Sequence, residues 1–367
     1  MTVTYSEHNS AAVDEADDHP FVARVRRYAD TVLAPSALDT DLNGVSAERV
    51  AELADLGLLN HLAPVQFDGA ALGRVADRRV HEILSGSCLN TWLVWAQHAP
   101  IVGRLAATGS AGNRRSELAD EILSGRILLG AGLSDVRGYP DRYVTAHRVA
   151  SGWRLAGTIS WVSGWGLNSA LTVAAVDPAT ERVVTAIVPV GESTRGAPLD
   201  LWALGGSRTA RVRVDDVFVP DENVLDVEPL HAWDVADRAA AGDARAHHFG
   251  VAAAILGELA ADRSARAADV ARVWRPRVAE LRRTAYMLAD EADVVGDKSH
   301  RHDERLATKV ATTEALGTLS RALVVARAGR ALAADNTAQL HARNALFVLV
   351  QGQRADIRDA QLVHLAR

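Results

Sequence analysis

At 367 residues the chain is two to two and a half times a typical domain of about 150 residues, so several domains or one layered architecture is expected and a small disulfide scaffold is excluded. Apolar content of 48% with 23% charged residues is that of a soluble globular protein, and no apolar run reaches the roughly 18 residues of a membrane span. A net charge of -6 gives no attraction toward nucleic acid or an anionic membrane, and the lone Cys88 cannot form an intrachain disulfide or a CxxC metal site.

The first segment, 1–18, is polar and acidic without an apolar stretch; it reads as a mobile arm and the protein as cytoplasmic. From 19 to 125 the apolar spacing is helical. Val22, Val25, Ala29 and Val32 recur at three to four residues, a second helix opens at Ser46, and a longer one runs from about Gly73 to His98, where Pro100 stops it. Between 126 and 235 the pattern alternates instead. The segments 153–159, 170–176, 182–188 and 210–219 are short, rich in β-branched residues and separated by Gly, Pro and Asp turns, which defines a β domain. Helices return over 236–367, at about 246–274, 278–295, 304–334 and 354–366, with Pro276 expected to separate the first two.

Most chemistry-bearing motifs are absent. Neither Lys298 nor Lys309 follows a glycine, which removes a Walker A phosphate loop, and Gly130-Ala-Gly-Leu lacks the third glycine of a dinucleotide fingerprint. No GxSxG or HExxH occurs, and His247-His248 and His300-Arg-His302 lack companion ligands at metal spacing, so no metal is expected. With 38 arginines, a single arginine is weak evidence for a phosphate. What remains is Gly157-Thr-Ile-Ser-Trp161-Val162-Ser163-Gly164. Period-two alternation puts Trp161 and Ser163 on one strand face, where an indole beside a hydroxyl suits a flat heteroaromatic ligand; the alternative is a core tryptophan followed by a turn serine.

With these residues the chain resembles the acyl-CoA dehydrogenase superfamily. The shared features are Gly157 with Trp161-Val162-Ser163, then Leu204-Gly205-Gly-Ser207-Arg208-Thr209, then Asp215-Asp216-Val-Phe-Val-Pro220, and finally Arg358-Asp359-Ala360. The resemblance implies an α+β fold with an N-terminal helical domain, a central β-barrel-like domain and a C-terminal four-helix bundle. It also implies a flavin, FAD or FMN, with Trp161 and Val162 against the isoalloxazine and the Ser163 hydroxyl near its N5. A homotetramer or homodimer built through the C-terminal helices is implied as well.

Departures from the family pattern refine this expectation. Counting back eight residues from Arg358, the position of the usual catalytic glutamate is Val350, which cannot accept a proton. Some members place the base at the start of the first C-terminal helix, which here brings His247 and His248. The family's glycine-rich turn stands as Arg343-Asn344-Ala345, and the sequence ends at Arg367, before the family's Glu-Gly-Thr segment. A closer resemblance is to the class D flavin monooxygenases of the same fold, through Leu56-Gly-Leu-Leu, Pro64-Val-Gln-Phe-Asp-Gly69, Ser87-Cys-Leu-Asn-Thr-Trp92 and Ser163-Gly164. This branch implies reduced flavin supplied by a separate reductase, O2 added at C4a to give a hydroperoxide, and a small aromatic, polyketide or amine substrate. In that reading His98 is the leading catalytic residue with Ser163, and Trp92 and Trp95 share its helix face. The alternative for His98 is a cap on the helix end. Trp92, Trp95, His247 and Val350 are expected to line the substrate pocket; Ser134, or Ala131 in another register, to face the flavin; and Arg208 to meet its phosphate or to sit in a surface loop. Dehydrogenation with a displaced base, and a catalytically silent structural paralogue, are the alternative functions.

Overall fold

The computed structural model describes residues 16–108 and 116–367. Most of the expected arm therefore lies outside the described residues. Its end is held: Ala16 is buried, and Asp17 accepts hydrogen bonds from Arg26 and from both Nε and Nη2 of Arg79.

The first layer is helical: α1 (Pro20–Tyr28), α2 (Ala37–Asn43), α3 (Ala47–Asp55), α4 (Arg74–Ser87), α5 (Leu89–Ala96), α6 (Ala99–Thr108) and α7 (Glu117–Leu123). Ser46 caps α3 by accepting from Arg49 N, as its sequence position predicts. The single helix expected up to His98 is instead two, broken at Cys88, whose backbone is extended. Pro100 does not end a helix. It lies in the first turn of α6, where a missing N–H costs nothing.

The middle layer is one mixed sheet of β1 (Leu129–Gly132), β2 (Thr145–Val149), β3 (Gly152–Val162), β4 (Ala170–Asp177), β5 (Arg182–Pro189), β6 (Thr194–Pro198), β7 (Ala210–Pro220) and β8 (Val224–Pro229), in the order β6-β7-β3-β2-β4-β5-β8 with β1 parallel to β4. Every residue of β4 is buried, which explains its continuous apolar run. The sheet has its own core around Leu155, Val173, Val184 and Val212.

The last layer comprises α8 (Leu230–Ala241), α9 (Ala246–Ala260), α10 (Ala265–Val295), α11 (His302–Arg327), α12 (Thr337–Val350) and α13 (Ala355–Leu365), of which α9 to α12 pack as the expected bundle. The break expected at Pro276 is at Asp262-Arg-Ser264, where the Asp262 side chain accepts from Ser264 N; α10 runs straight past Pro276. Burial of Ala271, Val278 and Ala285 on one face of α10 holds the helix across the proline, so tertiary packing overrides the local penalty. Helix α9 is apolar on most faces because α4 covers one side and α10, α11 and α12 the others. One apolar cluster consequently runs from Val22 through Leu84 and Trp95 to Leu256, Leu319 and Val348, joining the first and last layers. Among the described residues, no helix is long and apolar enough to cross a membrane.

Candidate active site

A cavity of about 510 Å³ lies where the three layers meet. Helix α4 contributes Arg78 and His81, α5 contributes Trp92 and Ala96, and β1 with the following turn contributes Ala131 and Leu133. The entry to α9 supplies Asp243, Arg245 and His247, α10 supplies Tyr286, and Gln351 stands at the end of α12.

The wall is aromatic, and a neighbour fixes the tautomer of His81. Trp92 Nε1–H, which can only donate, is 3.0 Å from His81 Nδ1, so that nitrogen carries the lone pair. Burial pushes the pKa of His81 down to about 4, which keeps the ring neutral. Trp92 also packs at a tilt against His247 with centroids 4.5 Å apart, and His247 likewise against His248 at 4.2 Å. His247 Nε2 is buried with no hydrogen-bond partner. Burial first, then the charges of His248, Arg245 and Lys309, hold its pKa well below the usual histidine range. His247 is therefore a neutral imidazole with an uncommitted nitrogen. The only carboxylate of the wall among the described residues, Asp243, is gripped by Arg305 through two bonds of 2.6 and 2.8 Å.

The structure redistributes several sequence-derived site residues. His98 is fully buried away from this cavity: Leu129 N–H donates to Nδ1 at 3.2 Å and Nε2–H donates to Leu59 O at 2.6 Å. Both ring nitrogens are committed to backbone, so His98 joins α5 to β1 and has none left for a substrate. Trp95 is likewise fully buried and gives its N–H to Leu58 O at 2.8 Å; three residues from Trp92 is close on a helix, but it turns into the core. Val350 is 55% exposed and is not part of this cavity's wall, because α12 ends there and the chain turns; the next residue, Gln351, lines the cavity and has a buried, unpartnered Oε1. Ser134 is exposed at the start of a short 3-10 turn, whereas Ala131 and Leu133 reach the cavity. His81, Tyr286 and Gln351 were not singled out from sequence. The one legible signal was Asp77 four residues before His81 on a helix, which places a carboxylate beside the imidazole.

Trp161 and Ser163 end up beside each other differently from the strand-face expectation. Strand β3 stops at Val162, whose side chain is buried in the sheet core, and Ser163 begins a turn. Ser160, just before Trp161, is tied through its N–H and hydroxyl to the buried Asp135, at 2.8 and 2.6 Å, which anchors this strand end two residues from Leu133 of the cavity wall. Trp161 is 55% exposed, an open indole face next to the half-buried Ser163. Ser163 Oγ contacts Thr209 Oγ1 at 3.0 Å, and Asn168, which donates to Ser163 O, keeps a buried Oδ1 without a partner. An uncovered flat ring beside the Ser163 hydroxyl, with the unpartnered Asn168 Oδ1 behind it, fits a planar heteroaromatic cofactor. Arg208 is engaged otherwise: its Nε donates to Val45 O at 2.5 Å, pinning the 205–207 turn to the first layer.

Comparison with known proteins gives the class to which this architecture belongs. Residues 15–125 match the family profile "Acyl-CoA dehydrogenase, N-terminal domain". The short-chain specific acyl-CoA dehydrogenase of Sus scrofa mitochondria is 24% identical over 279 residues, 73% of this chain and 66% of its own length. The Mus musculus counterpart matches over 51% of its length, so the chain spans between half and two thirds of these relatives. Among solved structures, butyryl-CoA dehydrogenase from Megasphaera elsdenii superposes with a TM-score of 0.76 at 16% identity, covering 96% of this chain and 98% of that one. The FAD complex of PigA superposes with a TM-score of 0.74 at 15% identity, covering 100% and 99%. Residues 15–125 thus match the N-terminal domain of the acyl-CoA dehydrogenase family, and the chain as a whole has the acyl-CoA dehydrogenase fold.

Proposed function

We propose that the protein is a flavin-dependent oxidoreductase that takes a reduced flavin, FAD or FMN, and oxygenates a small aromatic, polyketide or amine substrate in the three-layer cavity. The observation that carries this reading is the composition of the wall. Its one carboxylate is tied to Arg305, while an aromatic enclosure of His81, Trp92, His247 and Tyr286 contains an imidazole nitrogen with no partner. Removing the α-proton of an acyl thioester calls for a positioned base, usually a carboxylate, and none is available here. An aromatic box with one free acceptor instead suits a planar substrate bearing a hydroxyl or amine.

Trp161 would lie against the flavin ring and Ser163 at its edge. Bound reduced flavin supplies two electrons, and with O2 one oxygen atom enters the substrate while the other leaves as water. The protein's own work is then threefold. Trp92 and Tyr286 hold the substrate ring, the buried walls keep water from the reacting edge, and His247 Nε2 accepts a hydrogen bond from the substrate hydroxyl or amine, which orients it. A separate reductase is the expected source of the reduced flavin, and a homo-oligomer the expected assembly.

Dehydrogenation of an acyl thioester is the second reading. It is favoured by the dehydrogenases among the relatives and by His247 at the start of α9, where it would serve as the displaced base. Two experiments, the first of them anaerobic, separate the readings. Acyl-CoA added to protein loaded with oxidised flavin is expected to leave the flavin colour unchanged; bleaching would establish the dehydrogenase. Reduced, protein-bound flavin mixed rapidly with O2 is expected to pass through a transient absorbance distinct from both end states. Direct reoxidation without that transient, with FAD and with FMN, would overturn the oxygenase reading, and no binding of either flavin would leave a silent paralogue.

A further inference from the structure

The Ser163 hydroxyl is the near end of a hydrogen-bond chain whose direction is set at its far end. Ser207 Oγ lies 2.7 Å from Leu204 O, and a carbonyl oxygen only accepts, so the Ser207 hydroxyl hydrogen is committed there. Ser207 Oγ, 2.7 Å from Thr209 Oγ1, must therefore accept from Thr209. Thr209, its single hydrogen used, must in turn accept from Ser163 at 3.0 Å. Both Ser207 and Thr209 are buried, so water offers neither of them another partner. Ser163 is left with lone pairs only on its open side, beside the exposed Trp161 indole.

We infer that the relay Ser163–Thr209–Ser207 makes this site select the redox state of the flavin, favouring the reduced form; the inference rests on the reading that a flavin lies against Trp161. On an isoalloxazine, N5 is a bare acceptor when oxidised and carries a hydrogen when reduced. An oxygen that can only accept repels the first and bonds the second. The ring's N3–H donates in both states, so contact there would give no selection. Sequence motif and relay thus have separate roles: Trp161 and Ser163 provide the platform, and Ser207, two hydrogen bonds beyond Ser163, is a positioning residue that sets the polarity.

The test is anaerobic titration of the full chain with FAD and FMN, each oxidised and dithionite-reduced. Wild type should bind the reduced form roughly tenfold more tightly, the scale of one neutral hydrogen bond gained against one lost. Equivalently, the bound flavin should have a potential about 30 mV more positive than the free flavin. In Ser207→Ala the Thr209 hydrogen is released to turn toward Ser163, which frees the Ser163 hydrogen for an acceptor. Oxidised flavin should then bind more tightly and the preference fall below about threefold. The turn itself persists, because Ser207 N–H still donates to Leu204 O at 3.0 Å. Thr209→Val, which removes the acceptor of Ser163, should shift the ratio the same way and serves if Ser207→Ala does not fold. Equal wild-type affinity for the two states, or a ratio unmoved in these variants, overturns the relay while leaving flavin binding intact. Absence of binding in both states removes the proposed function and the relay with it.

Discussion

His98 is a neutral imidazole in the fold because Leu129 N–H donates to one of its nitrogens and its other N–H donates to Leu59 O. Burial is the main reason that its pKa drops to about 4. As the folded value lies below the unfolded value of about 6.5, the stability it contributes is complete above pH 6.5 and is lost as pH falls toward 4. The variant His98→Leu should be destabilised by about 2–5 kcal/mol at pH 7, since two buried backbone groups lose their partner. Urea unfolding at pH 7 and pH 5 should show the gap between wild type and variant shrinking by about 2 kcal/mol, because only wild type loses the His98 contribution over that range. A gap independent of pH would mean that His98 titrates normally. His247 has the opposite character, a free nitrogen in the cavity. His247→Phe retains a ring against Trp92 and removes the acceptor, so substrate oxygenation should fall about tenfold, the scale of one lost hydrogen bond, while flavin affinity stays within about twofold. Stopped-flow reoxidation with and without substrate measures both.

Helix α9 crosses α4 so closely that glycine is required on each side. A Cβ on Gly250 would stand 2.2 Å from Glu82 O and from Ser85 Oγ, and one on Gly86 2.7 Å from Gly250 O. Gly257, two turns further along α9, has nothing within 4 Å of such a Cβ. Gly250→Ala should therefore cost about 1–3 kcal/mol or more through forced separation of the helices. Gly257→Ala in the same helix should add about 0.4–1 kcal/mol, since only chain entropy changes. Denaturant unfolding of the pair checks both signs, and equal effects would show that the crossing tolerates movement. Elements were legible from sequence wherever one face decided them. Strands β3, β4, β5 and β7 carry enough β-branched residues to be read directly, whereas β1, with three small residues, and β6, short and with a central Gly, exist only because β4 and β7 offer edges to pair with. Prolines misled for the same reason: Pro276 is rescued by packing on α10 and Pro100 by its place in a first turn, and neither context is local.

At the scale of the molecule, the proposed flavin platform lies in one contiguous motif and the proposed substrate cavity does not. Trp161, Val162 and Ser163 are contiguous, so a motif marks them, although the strand end that brings Ser163 to Thr209 is visible only in three dimensions. The cavity is assembled from residues as far apart as Arg78 and Gln351, whose approach depends on how α4 docks on the last layer. That docking centres on Glu82, buried, which accepts from Arg79 at 2.8 Å, from Arg282 at 2.5 and 3.1 Å and from Tyr286 at 2.6 Å. Arg78 adds two bonds to Asp290 on the same side and lies over the Tyr286 ring at 4.4 Å. Removing Glu82 leaves Arg282 partly buried without its counter-charge, so Glu82→Leu should cost about 3–5 kcal/mol, whereas Asp290→Asn, at a more exposed pair, should cost no more than about 1 kcal/mol. The functional consequence follows from where the network ends. Arg78 and Tyr286 line the cavity, while Trp161, Ser163, Thr209 and Ser207 belong to the sheet and its turns and touch none of it. Under conditions where Glu82→Leu remains folded, affinity for a substrate should drop about tenfold or more while affinity for reduced flavin changes less than about threefold, measured by equilibrium titration of each alone. Parallel loss of both would mean that the flavin platform also depends on the α4 interface, and the two halves of the site would then have to be treated as one.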